Sequence, residues 1–467
     1  MKKPLINRVL LSFFGVLVLF FACKSPEQPV LASVQTEVAP ANIPWVDSAV
    51  IYEVNIRQYT PEGTFNAFAA HLPRLKSLGV DVLWLMPVFP ISETKRKGSL
   101  GSYYAVSDFR AINPHYGDLE DFRSLVQKIH AQGMKVVLDW VPNHTGFDHT
   151  WTETHPDWYN RDPKTDTIIH PAGTDWTDVA DLNYDSPGMR EAMVADMKYW
   201  VQELDIDGFR CDVAGEVPVD FWVDCVQQLQ QIKSLFMLAE AEAPELRNNG
   251  AFLVDYGWEF HHLMNEIGAG KAGAPALDAW LAEDRRNFQR GFHMVFVTNH
   301  DENSWNGTVQ ERLGDAADAL TMLTFTFDGM PLIYSGQEQG LNKRLRFFEK
   351  DTIPWNNPDR EDFFRRLVQL KHRNPALWNG HAGGAPVKLS TDQDKTVYAF
   401  TREKSGNRVV VVVNFSAQPS DFQLKADAVE GLYENIFGNS TLTLAQQTSL
   451  QLGPWEYMVL VRKPGEG

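Results

Sequence analysis

Three carboxylates stand at the C-terminal ends of short apolar runs: Asp212 in DGFRCD, Glu240 in LFMLAE and Asp301 in VFVTNHD. An acid among apolar neighbours is costly unless it is paired or does chemistry. Any one of the three could be a cap or an ion-pair partner; three in the same strand-end position point to one shared site. Side chains alternate along DGFRCD, so Arg210 and Asp212 face one way and Phe209 and Cys211 the other. An arginine beside Asp212 is expected to keep it ionised, as a nucleophile requires. Glu240 has Phe236 and Leu238 on its own face, and apolar surroundings with nearby carboxylates favour the protonated form, which suits a proton donor. Glu242 is the rival for that role, but it already lies in the loop-like AEAPEL. His144 in DWVPNH and His300 in TNHD each follow an apolar run and are placed to hydrogen-bond sugar hydroxyls, while Tyr104 in GSYYAVSDF offers a face on which a sugar ring could stack. Such a set suits glycoside hydrolysis by retention. Asp212 would attack the anomeric carbon, Glu240 would protonate the leaving oxygen and then activate water, and Asp301 would hold the developing positive charge.

The elements that must position these groups are legible from residue 49 onward. Strand-like runs fall at 49–56, 80–88, 135–141, 206–212, 235–240, 252–256, 293–299 and 331–335, with helical stretches near 66–78, 117–132, 187–204, 218–232, 274–287, 310–327 and 360–373. In 187–204, Met193, Met197, Trp200, Val201 and Leu204 recur at helical spacing behind Ser186-Pro187, a cap and a first-turn proline. Eight strands alternating with helices predict an α/β fold, a (β/α)8 barrel with its site at the C-terminal mouth. Phosphate-binding glycine fingerprints are absent from the first strand–helix turn, against a nucleotide site. The polar stretch 142–187 after the third strand is too long for a plain connection and is expected to be an inserted functional region. From 378 to 467, runs such as TVYAFTRE and RVVVVVNF between turn residues predict an antiparallel β-sandwich domain beside a barrel over 45–377.

The 467 residues allow one large and one smaller domain, and a net charge of −17 without a long basic run argues against nucleic acid. Lys2, Lys3 and Arg8 precede an apolar stretch, Val9 to Ala22, that is short for a membrane span. With Cys23 directly behind it, this segment resembles a bacterial lipoprotein signal over 1–22. That resemblance implies a lipid on Cys23, a flexible tether over 23–44 and a place on a bacterial membrane, expected to be the outer one, facing the periplasm or the exterior. Cys211 and Cys225 are expected to be buried free thiols, and no spacing suggests zinc.

The motifs together are similar to those of glycoside hydrolase family 13, the α-amylase family, over nearly everything after residue 45. DWVPNH matches its first conserved region with Asp139, Asn143 and His144. GFRCD matches the second with Arg210 and Asp212, the strand ending in Glu240 the third, and NHD the fourth with His300 and Asp301; YAVSDFRAINPHYG brings in Tyr104. The resemblance implies Asp212 as nucleophile, Glu240 as acid/base, Asp301 as stabiliser of the transition state, and substrate contacts from Tyr104, His144, Arg210 and His300. It implies hydrolysis of α-1,4-glucosidic bonds in starch-derived glucans or maltooligosaccharides, by a monomer that needs no cofactor for the chemistry. Asn143 matches a family calcium ligand, so a structural calcium held by oxygen ligands is expected there. DVAGEVPVDFW (212–222) is closer to the version found in neopullulanases and cyclomaltodextrinases, with Gly215-Glu216 where many α-amylases carry Lys-His. A neopullulanase, cyclomaltodextrinase or glucanotransferase on the same site is the alternative within the family. A non-catalytic glycan-binding protein on the same scaffold is the alternative of another class.

Overall fold

A computed structural model describes residues 37–39, 41–438 and 440–463. The expected signal, Cys23 and the tether up to residue 36 lie outside the described residues. Eight parallel strands close into a barrel: β1 (Ile51–Val54), β2 (Val82–Leu85), β3 (Lys135–Trp140), β4 (Gly208–Cys211), β5 (Phe236–Ala239), β6 (Val254–Tyr256), β7 (Phe292–Val295) and β8 (Met330–Tyr334), each paired with its neighbour in chain order and β8 with β1. Each is nearly or wholly buried, because helices cover the outside and side chains fill the inside. This explains why they read as apolar runs rather than as alternating patterns. The chain therefore has the expected barrel fold.

The helices form where their signals stand. Asp118 and Asp121 make a reciprocal capping box at the head of Leu119–Ala131. Ser186 accepts the Met189 N–H at the head of Pro187–Leu204, which buries Met193, Met197, Trp200 and Leu204. One helix, Trp258–Gly268 after β6, has no counterpart among the sequence expectations; it buries Phe260, Met264 and Ile267 at helical spacing.

The insertion after β3 is a short lobe with one antiparallel pair, His144–Gly146 against Val179–Asp181. Beyond residue 386 an antiparallel sheet runs in the order 387–389, 397–404, 407–414, 457–462, 431–435, 440–444, with a separate ladder of 420–425 and 447–452. One face packs Leu389, Val410, Val412, Phe422 and Leu424 together, and the other sends Tyr398, Phe400, Val409 and Val411 into the main core. Cys211 and Cys225 are buried free thiols, as expected.

The flexible tether does not extend to residue 44. Val38 is buried and its N–H donates to the Asn249 carbonyl at 2.8 Å, and Glu37 pairs with Arg290 at 2.7 Å. Ile43, just before the Pro44–Val46 turn, and Val46, its last residue, join Val82, Val137 and Phe236 in plugging the N-terminal end of the barrel. Burying these apolar side chains outweighs the entropy of leaving the segment loose. Among the described residues no helix is long and apolar enough to cross a membrane.

Candidate active site

The register of adjacent strands builds the floor of the site. Asp139 on β3 and Arg210 on β4 are paired residues, and both side chains are fully buried. Arg210 Nη1 donates to Asp139 Oδ1 at 2.8 Å and to Asp212 Oδ1 at 3.0 Å, and its Nε donates to the Tyr256 hydroxyl at 3.1 Å. Its other terminal nitrogen, Nη2, lies 2.7 Å from Glu240 Oε1. One guanidinium therefore touches three carboxylates, with the strand-end acids Asp212 and Glu240 at its two terminal nitrogens. Trp84 Nε1 donates to the second oxygen of Asp139 at 3.1 Å, so the buried acid is held from β2 as well.

The backbone directly after β4 is strained. Val213 has φ +46, a conformation that β-branched residues avoid, at a cost of about 1–3 kcal/mol. In this conformation its N–H donates to Glu240 Oε2 at 2.9 Å. The strain thus aims a backbone donor at one of the two acids.

A second buried chain of hydrogen bonds runs from β1 across to β7. Glu53 Oε1 accepts from His300 Nδ1 at 2.5 Å, His300 Nε2 meets the Tyr104 hydroxyl at 2.7 Å, and that hydroxyl donates to Asp139 Oδ2 at 3.1 Å. Burial alone would lower the pKa of His300, but Asp301 and Glu53 outweigh it and raise it to about 9. His300 is then an imidazolium at neutral pH, a donor on both nitrogens. If activity needs that charge, kcat/KM should fall as pH rises through about 9. Glu53→Gln, which removes one of the raising charges, should move this limb to lower pH; superimposable profiles would show that the charge is not required. The sign for stability is the same: the imidazolium's contribution is complete below its unfolded value of about 6.5 and is lost as pH rises through the folded one.

Asp212 departs from the sequence expectation. Its pKa is pushed well above the ordinary carboxylate range, first by burial, then by Glu240, with Arg210 opposing. Arg210 does not keep it low because that one cation is divided among Asp139, Asp212 and Glu240. His144 lies with Nε2 4.0 Å from Asp212 Oδ2, and burial depresses its pKa to about 3, so its ring is neutral.

These groups meet a cleft of about 760 Å³ at the barrel mouth, lined by Tyr104, His144, Asp212, Glu240, His300 and Asp301. The structure therefore brings all three expected carboxylates and three of the expected contact residues to one opening, with Arg210 beneath. Asp301 is the most open of the acids, its side chain 34% exposed, with His300 Nε2 at 3.3 Å. The Tyr104 ring lines the cleft beside those of His300 and Phe347, at centroid distances of 5.5 and 6.3 Å. Glu242 does not line the cleft; it accepts the Glu259 N–H at 2.7 Å. Lys97, Trp176, Trp258, Trp305, Phe347 and Phe348 also line it and were not singled out from sequence.

The calcium expected at Asn143 finds no matching donor set. The Asn143 amide nitrogen faces His144 Nδ1 at 3.2 Å, while the nearby acids Asp178 and Asp181 are engaged by Lys97 at 3.1 Å and by Asn160 at 2.7 Å. Among the described residues no three His, Cys, Asp or Glu side chains gather where they could hold a metal. The residues present do not fit the ion.

Comparison with known proteins agrees with this geometry. Residues 45–399 match the family described as "Alpha amylase, catalytic domain", and residues 388–459 match "Maltogenic Amylase, C-terminal domain". The chain is 27% identical to alpha-amylase MalA of Haloarcula japonica over 87% of its own length and 61% of that protein's, so it spans under two thirds of that relative. It is 25% identical to the maltogenic alpha-amylase of Bacillus acidopullulyticus over 85% of this chain and 70% of the other. Among solved structures it is similar to the maltogenic alpha-amylase AmyB of Thermotoga neapolitana, with a TM-score of 0.81 and 27% identity over 90% of this chain and 99% of that one.

Proposed function

We propose, from the premise that this chain belongs to the α-amylase family, that it hydrolyses α-1,4-glucosidic bonds in starch-derived glucans or maltooligosaccharides with retention at the anomeric carbon. The observation that carries the reading is the pair Asp212 and Glu240 at the two terminal nitrogens of Arg210, opening on one cleft. Carboxyl groups gripped by one guanidinium are close neighbours. That favours the short separation of a retaining pair, about 5–5.5 Å, over the roughly 6.5–9.5 Å that leaves room for water in an inverting pair.

In the first step an Asp212 oxygen attacks the anomeric carbon while the glycosidic bond breaks, and Glu240 gives its proton to the leaving oxygen. The step requires Asp212 ionised and the proton on Glu240 when substrate is bound; contact with Arg210 favours the ionised Asp212, and burial opposes it. In the second step the Glu240 carboxylate takes a proton from water, whose oxygen attacks the same carbon and frees Asp212. Asp301 and the His300 imidazolium flank the ring: the carboxylate meets the developing positive charge, and His300, its two N–H groups taken by Glu53 and Tyr104, holds the Tyr104 hydroxyl and lies beside Asp301. His144, being neutral, both donates and accepts. Only carboxyl groups and water take part in bond changes.

Proton NMR of the first product from maltotriose or longer substrates tests the mechanism. The α-anomer is expected before mutarotation; a β-anomer rules out double displacement. Lys2, Lys3 and the apolar stretch ending at Cys23 support a lipid-anchored, exported enzyme. The mass of the mature N-terminus should then show an acylated cysteine, and an unmodified peptide beginning elsewhere would remove the anchor.

A further inference from the structure

The end of the cleft across from Glu240 is bounded by two loops that meet above β1. Residues 93–102 come from the connection after β2, residues 341–351 from the connection after β8, and β1 lies between those strands in the ring. The loops are tied to each other. Leu100 N–H donates to the Phe348 carbonyl at 3.0 Å, and Ser99 donates to the Glu349 carboxylate from both its N–H, at 3.0 Å, and its hydroxyl. Arg57, from the turn after β1, donates to the carbonyls of Gly101 and Phe347 at 3.1 Å each, so one buried guanidinium fastens both. At Gly98, φ +64, a Cβ would lie 2.5 Å from Phe348 Cβ. Backbones that close leave no passage for a sugar chain between them.

The barrier continues on either side. Lys97 reaches over to the insertion after β3, donating to the Asp175 carbonyl at 2.7 Å and pairing with Asp178 at 3.1 Å. On the other side Trp305, 51% exposed after β7, packs on Phe347 and Phe348 at centroid distances of 5.2 and 5.8 Å. The rim is thus built up from β7 through β8, β1 and β2 to β3. Glu240 ends β5, opposite β1 in an eight-membered ring. The leaving oxygen must face its acid, so the departing part of the glucan lies toward β5 and the part held on Asp212 lies toward the laced rim.

We infer that this rim makes the cleft blind on the glycone side, so that the enzyme takes the non-reducing end of an α-glucan and releases short maltooligosaccharides rather than cutting within the chain. The inference rests on the hydrolase reading above and concerns only which part of the substrate that site admits. Trp305 and Phe348 set the limit by steric exclusion and touch no reacting atom.

The test compares two maltoheptaosides with the same reducing end, one free at its non-reducing 4- and 6-hydroxyls and one with them bridged by an ethylidene group, with products separated chromatographically. The free substrate should have kcat/KM higher by about tenfold or more. Trp305→Ala, at an exposed position where the fold is safe, and Phe348→Ala should each narrow that ratio while still cleaving the free substrate. Equal rates for the two substrates with the wild-type enzyme overturn the inference but leave the hydrolase reading standing. A ratio unchanged in both variants overturns the assignment to the rim. Cleavage of neither substrate overturns the hydrolase reading, and the inference falls with it.

Discussion

Asp212→Asn is expected to lower kcat on maltooligosaccharides by roughly 10⁴-fold or more, with the fold retained. The amide keeps the size and one acceptor oxygen for Arg210 Nη1 but has no lone pair basic enough to attack the anomeric carbon. The change is also expected to hold or raise the melting temperature. Burial and then Glu240 raise the Asp212 pKa, and with Asp139 also on the one arginine the ionised Asp212 adds repulsion that a single cation does not cancel. Loss of activity with unchanged or higher stability is the signature of a group kept for chemistry rather than for folding. Thermal melts and single-turnover rates on one preparation check both halves. Activity near that of the wild type would remove Asp212 from its assigned role.

Glu240→Gln should cost roughly 10²–10⁴ in kcat on natural glucans, and much less on α-maltosyl fluoride in the glycosylation step. Fluoride leaves without a proton, whereas a sugar alkoxide does not. Glu240 uses Oε1 for Arg210 and Oε2 for the Val213 N–H, and glutamine keeps one oxygen, so one of these contacts is lost and that positional cost should fall on both substrates alike. The comparison of the two substrates by pre-steady-state kinetics separates proton donation from positioning. Equal losses on both would assign Glu240 to structure and leave the acid to be found elsewhere.

What sequence reveals here depends on how far each signal reaches. The eight barrel strands are readable because burial on both faces turns each into an unbroken apolar run, and the same burial exposes Asp212, Glu240 and Asp301 as misfits at the run ends. Glu53 carries an equivalent signal, a lone acid inside IYEV, yet it is recognisable only once His300 is known to lie 2.5 Å away. The helix Trp258–Gly268 is short and carries two histidines, so Phe260, Met264 and Ile267 alone had to announce it. The protonation of Asp212 was expected to follow its neighbour at i−2. It follows instead from burial first, then from Glu240 and Asp139, which arrive from other strands and compete for that same neighbour. The lacing of the loop after β8 to residues 98–101 was not legible, because loop contacts are set by tertiary packing and leave no periodic trace.

Residues 37–39 and 41–46 close the N-terminal end of the barrel. Val38 is fastened beside the turn that leads into β6, and Ile43 and Val46 fill the barrel end away from the mouth. The entering segment and the three carboxylates therefore stand at opposite ends of the eight strands, and what fastens one takes no space from the other.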